Sequence, residues 1–260
     1  MIKSICIEKI FTELDFYDRF AAVANAGFKH MEIGCWCNRD VDRMAEELQK
    51  HGLTMTTLSA DYKGSLIVPE DREEFLDYVG RSIEAAKKLG CKRGVIHSQA
   101  MDENGQFTHD GSDLNDMTKI AAAARTGMEA AKLAQEHDFV LTLEGVNNIT
   151  KPGYYMTTSE MVGSLCKVID SPNFKMLYDI WHMQLMEGNL VSHLRKYADV
   201  LGYIHVGDCP ERHEPGTGEI NFEKLKALLE DELNMRDLVW GFELDPLIDS
   251  NDCAKKIAVF

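Results

Sequence analysis

Eight short runs rich in apolar and β-branched residues recur along the chain, at about 3–7, 29–33, 53–58, 92–97, 138–144, 174–179, 202–206 and 238–243. Runs of this length and make-up read as strands. Between them the apolar positions change to a helical spacing, as in Phe16, Phe20, Val23 and Ala24, in Phe75, Val79, Ile83 and Ala86, and in Met117, Ile120, Ala121, Ala124, Met128 and Ala131. The helical series continues with Met161, Leu165 and Val168, with Leu190 and Leu194, with Leu225 and Leu229, and with Ile257 near the end. Gly27, Gly52 and Gly90 each follow a helical pattern and precede a strand, where a helix C-terminus calls for glycine. Eight alternations of this kind predict an α/β fold, a single closed (β/α)8 TIM barrel.

The chain has 260 residues and 45% hydrophobic content, enough for a full core, and it carries no Pro/Gly/Ser-rich linker or low-complexity tract. One domain over residues 1–260 is the expectation. Neither G-x-G-x-x-G nor G-x-x-x-x-G-K-S/T occurs, so a dinucleotide-binding fold with the same alternation loses its main support. The formal net charge of −15 repels phosphate backbones and anionic membranes, which argues against nucleic acid as a partner. The amino terminus has no long apolar h-region, and no apolar stretch reaches the ~18 residues of a membrane span, so a cytoplasmic protein with no membrane association is expected. Seven cysteines, an odd number with only Cys35 and Cys37 close together, suit reduced and mostly buried thiols.

Four residues end apolar runs: Glu144 in VLTLE, Asp179 in FKMLYD, His205 in GYIH and Glu243 in LVWGFE. Their separations of 35, 26 and 38 residues each match a strand, a helix and two connections. If the runs are parallel strands, three carboxylates and an imidazole converge on the rim where barrel active sites are built, and together they could surround one divalent ion. Among the earlier strands, Glu8, Glu32 and His97 are the polar candidates; for Glu8 and Glu32 an internal pair or a rim position competes with function. His97 can face the site. His182 can hydrogen-bond a substrate oxygen, Arg212 offers a planar fork for a carboxylate or a sugar hydroxyl, and Trp181 supplies an apolar wall or ordinary packing.

The segments IFTELDFYDRFAAVANAGFKHMEI, LEGVN, YDIWHMQLMEGNLVSHLRKYADVLGYIHVGDCPERHEPGTGEINF and GFELDP resemble the xylose isomerase-like TIM barrel superfamily of sugar isomerases and epimerases, and within it the hydroxypyruvate isomerase branch. The likeness covers most of the chain, and RHEPGTGEINF is its most specific piece. It implies that Glu144, Asp179, His205 and Glu243 hold one Mn2+ or Mg2+ ion, that Glu144 and Glu243 are the acid/base pair, and that His182 and Arg212 bind a small carbohydrate or hydroxy-keto acid. The implied activity is metal-dependent isomerisation through an enediolate. Three features depart from the branch. His205 stands where Gln is usual and is similar to the ketose 3-epimerases, Asp245 replaces the basic residue before the proline, and the loop after strand three is the short ADYKGSLIVPEDRE. A ketose 3-epimerase is therefore the alternative, ahead of a silent metal-binding subunit or a lyase of the same fold. The endonuclease branch is disfavoured by scattered histidines and by the charge. A homo-oligomer is compatible with the sequence.

Overall fold

The computed structural model describes residues 1–102 and 106–260. Parallel strands β1 (Ile2–Cys6), β2 (His30–Glu32), β3 (Thr54–Met55), β4 (Leu58–Ser59), β5 (Arg93–Ile96), β6 (Val140–Glu144), β7 (Phe174–Asp179), β8 (Leu201–His205) and β9 (Val239–Phe242) lie in the order β3-β2-β1-β9-β8-β7-β6-β5-β4. The two ends of that order are neighbours in sequence. β3 pairs with β2, β4 pairs with β5, and the residues between them keep the ladder, with Thr56 N–H donating to Met31 O at 2.9 Å and Ile33 N–H to Thr57 O at 3.4 Å. The strand expected at 53–58 is thus split as it passes from one neighbour to the other, and the sheet closes as a (β/α)8 barrel.

Around it run α1 (Asp18–Asn25), α2 (Val41–His51), α3 (Arg72–Lys88), α4 (Asp116–Glu136), α5 (Ser159–Ile169), α6 (Ile180–Met186), α7 (Leu190–Lys196), α8 (Phe222–Ala227) and α9 (Ser250–Val259). Asp40, Asn115, Thr158 and Asn221 cap helix starts by accepting the N–H three residues on. Gly27, Gly52 and Gly90 all have positive φ, in keeping with their expected place past a helix end.

Two expectations about helices are corrected. On α4 the apolar stripe Met117, Ile120 and Met128 is exposed, and the buried face is Ala123, Gly127, Ala130 and Ala134. The helix lies so close to α5 that a Cβ on Gly127 would come 2.5 Å from Ile169 Cδ1. The other is α6, a seven-residue helix absent from the sequence reading, which starts directly from β7 because the Asp179 carboxylate accepts the His182 N–H at 2.9 Å.

Inside the barrel the two-residue alternation of strands decides what reaches the mouth. Val95, Leu177, Tyr203 and Val239 pack together as the inner layer. Two residues on from each lie His97, Asp179, His205 and Gly241, and Glu243 is two beyond Gly241. Trp240 and Phe242, on the opposite face of β9, pack against Phe260.

Candidate active site

At the carboxyl end of the barrel one ligand-type atom each from Glu144, Asp179, His205 and Glu243 comes within 4.8 Å of the others. Three are buried and Glu243 is partly exposed. His205 Nδ1 sits 3.3 Å from Glu144 Oε1, 3.9 Å from Asp179 Oδ2 and 3.0 Å from Glu243 Oε2. Hard carboxylate oxygens with one imidazole nitrogen form a donor set that suits Mg2+ or Mn2+ as a class, so this cluster could hold a metal ion.

Charge in the cluster is set by neighbours more than by burial. Burial alone would push the Glu144 carboxyl up, but the His205 and His97 imidazoles outweigh it and hold Glu144 well below the usual carboxylate range. Burial likewise disfavours an ionised Glu243, and the Arg212 guanidinium with His205 overrides it, bringing Glu243 down to about 2. His205 is buried, which favours the neutral ring, yet Glu243, Glu32 and Glu144 raise it well above the ordinary imidazole value.

Of the three residues expected to meet substrate, His97 lines the cavity of about 390 Å3 above the cluster, and Arg212 and His182 stand behind that lining. Arg212 Nη2 donates to Asp179 Oδ2 and to Glu243 Oε2, both at 2.7 Å, Nε donates to Glu243 O at 2.9 Å, and the guanidinium stacks 4.7 Å from the Trp181 ring centroid. His182 Nδ1 accepts the Asn147 backbone N–H at 3.1 Å, which turns Nε2 toward Glu144 and Asp179 at 3.9 and 3.8 Å. Burial pushes its imidazole pKa down, so His182 is neutral.

The segment RHEPGTGEINF owes its shape to two buried acids. Asp208 accepts the backbone N–H groups of Cys209, Gly216, Gly218 and Ile220. Glu214, fully buried, accepts those of Leu247 and Ile248. This scaffold holds Arg212 at φ +65°, with its Cγ 2.7 Å from where a Cβ on Gly207 would lie.

Two participants were missed or undervalued in the sequence. Asp61 is buried, lines the cavity, accepts the His97 N–H and pairs with His97 Nδ1 at 3.1 Å, while His97 Nε2 lies 3.3 Å from Glu144 Oε2. Burial alone would lower His97, and Asp61 and Glu144 instead raise it to about 10. Asp61 lies two residues past Ser59, the end of β4, whereas Glu144, Asp179 and His205 end their strands, so a search for polar residues that close apolar runs passes it by. Glu32, left open between function and an internal pair, takes the Tyr203 hydroxyl's hydrogen bond and places Oε1 3.4 Å from His205 Nε2. Gly241 makes room for it, since a Cβ there would come 2.2 Å from Glu32 Oε2.

The family model described as xylose isomerase-like TIM barrel matches residues 20–247. Hydroxypyruvate isomerase of Escherichia coli (strain K12) is 30% identical over 232 residues, 86% of each chain, and 2-oxo-tetronate isomerase of Cupriavidus necator is 27% identical, covering 86% of this chain and 85% of its own. Among solved structures, AP endonuclease, family 2 from Brucella melitensis superposes with a TM-score of 0.89 at 24% identity over 99% of this chain and 98% of that one. D-psicose 3-epimerase of Clostridium cellulolyticum H10, solved with D-tagatose, gives a TM-score of 0.78 at 19% identity over 100% and 90%. At these identities the structural likeness speaks to the fold.

Proposed function

The chain belongs to the xylose isomerase-like TIM barrel family, and from that premise we propose that it interconverts the keto and aldehyde forms of a short hydroxy-keto acid or sugar through an enediolate. The observation that carries this reading is the pair Glu144 and Glu243, both ionised, which approach His205 from β6 and β9 at 3.3 and 3.0 Å. Isomerisation takes a proton from the carbon beside a carbonyl and returns one to its neighbour. An ionised carboxylate at the cavity wall serves as the base, and once protonated it delivers the proton back. Glu144 and Glu243 both line the cavity and fill these roles.

Glu144, Asp179, His205 and Glu243 fit a divalent ion, Mn2+ or Mg2+, and when bound it would supply Lewis acidity to the developing enediolate charge. The chain's other residues prepare the carboxylates. Arg212 pins Asp179 and Glu243 from behind, and His97, itself braced by Asp61, fixes the outer oxygen of Glu144. His182 presents a neutral ring toward Glu144 and Asp179, so it adds a donor without adding charge.

A second reading, epimerisation at one carbon, draws support from the placement of the two glutamates on different strands, because reprotonation from the opposite face needs a second carboxylate. The two are separated by following a panel of hydroxypyruvate, 2-oxo-tetronate and five- and six-carbon ketoses by proton NMR in D2O with added Mn2+. Isomerisation moves the carbonyl to the neighbouring carbon, giving a new aldehyde from hydroxypyruvate or a ketose and a 3-oxo acid from 2-oxo-tetronate, with hydrogen or deuterium added at the former carbonyl carbon. Epimerisation inverts a centre and leaves the ketone in place. No exchange and no product across the panel would reject both.

A further inference from the structure

The cavity is larger than the smallest substrate of the proposed reaction needs. At no more than the ~30 Å3 that a water occupies in the liquid, the seven non-hydrogen atoms of a three-carbon hydroxy-keto acid fill at most about half of its 390 Å3. The reacting end is fixed by Glu144, His205 and Glu243. The rest of the wall includes Met101 and Lys151 as well as residues that follow the first strands, and three of the latter, Glu8, Gly34 and Tyr62, converge: a Cβ built on Gly34 would lie 2.5 Å from Glu8 Oε2 and 3.6 Å from Tyr62 Oη. Glycine at this position lets a carboxylate and a phenol approach one another over a bare backbone.

We propose that Glu8 and Tyr62 are specificity-determining residues, forming a subsite for the hydroxylated tail of the substrate and selecting chains of four or more carbons over three. This rests on the isomerase or epimerase reading of the same cavity. The subsite has the chemistry for hydroxyl groups. Burial raises the Glu8 carboxyl above its ordinary value while Arg39 and the backbone N–H groups of Gly34 and Cys35 work against it, and those N–H groups orient the side chain and leave lone pairs for hydroxyl donors. Burial and the nearby Cys35 and Glu8 keep the Tyr62 phenol protonated, a donor and acceptor in one group. Glu8, when ionised, also repels a substrate carboxylate, so a keto acid is expected to enter with its acid group away from this end. Glu8 is outside the ligand cluster, and its loss leaves Glu144, Asp179, His205 and Glu243 in place.

The test combines binding and turnover. Wild type, Glu8→Gln, Glu8→Ala and Tyr62→Phe are titrated calorimetrically, in the presence of Mn2+, with the unreactive series glycerol, erythritol and xylitol. kcat/KM is then measured on three-, four- and six-carbon substrates. Wild type should bind tighter as the chain lengthens, and the Glu8 variants should lose about tenfold or more on the longer ligands and substrates while three-carbon turnover stays within about twofold. Tyr62→Phe should give a smaller loss of the same kind. Equal losses at every chain length, or none at all, would overturn the subsite. If wild type turns over nothing yet binds the polyols in order of length through Glu8, the reaction assignment fails and the subsite stands.

Discussion

Arg212 is held by two carboxylates that the sequence had marked as metal ligands, so at the scale of single residues the site is a lattice of opposite charges in which each group fixes its neighbour's ionisation. Within that lattice Glu144 and Glu243 are the residues proposed to carry the proton transfers. Glu144→Gln and Glu243→Gln should stay folded and lose about 10²-fold or more in kcat, the usual contribution of a positioned acid or base. Bound Mn2+ is quantified in the same samples, and near-normal rates with metal retained would remove that glutamate from the chemistry. Glu32 acts one step further back. Its Oε1 lies 3.4 Å from His205 Nε2, on the side of the ring away from the carboxylates that meet Nδ1. Carboxylates behind a ligating histidine typically matter by about 10–100-fold in metal affinity, so Glu32→Gln should weaken Mn2+ binding by about tenfold in calorimetry. Unchanged affinity would make Glu32 a packing partner of Tyr203 and no more.

At the scale of elements, what matters is how loops turn strand ends into a site. The loop after β8 has few apolar residues of its own, and Asp208 organises it by accepting four backbone N–H groups. Removing that acceptor leaves several donors without partners, so Asp208→Ala should cost about 1–3 kcal/mol in urea unfolding. Because the same loop presents Arg212, kcat should fall as well even though Asp208 lies outside the ligand cluster. Full stability with full activity would show that the loop is held in other ways. The helices teach a different lesson. Their existence follows from apolar periodicity, yet on α4 Met117, Ile120 and Met128 are exposed and small residues form the buried face, where Gly127 packs closely against Ile169 of α5.

For the whole molecule, the acidic charge and the cluster together set how the protein responds to pH. Glu243 is lowered from the ordinary 4.5 to about 2, so its ion pairs stabilise the fold fully above about pH 4.5, and that contribution is lost as pH falls toward 2. In metal-free buffer with chelator, the stability gap between wild type and Glu243→Gln should therefore narrow steadily from about pH 5 to about pH 2.5. A gap that stays constant across that window would show that the Arg212 and His205 contacts contribute no net electrostatic stability. The order of eight strands and their helices was legible in the chain because a period of two or of 3.6 is a local property, written by which residues can be buried on a pleated strand or a helical stripe. So was the convergence of Glu144, Asp179, His205 and Glu243, since parallel strands of one barrel must end on one rim. Side-chain contacts between different strands and loops were not legible. That Asp61 braces His97, that Glu32 reaches toward His205, that Arg212 turns toward Asp179 and Glu243, and that Glu8 and Tyr62 both approach Gly34 all join residues 26 to 173 positions apart in the sequence. The pairing of strands and, for Glu32 and His205, the closure of the sheet bring such residues together, and burial then turns that proximity into the shifted charges on which the proposed chemistry depends.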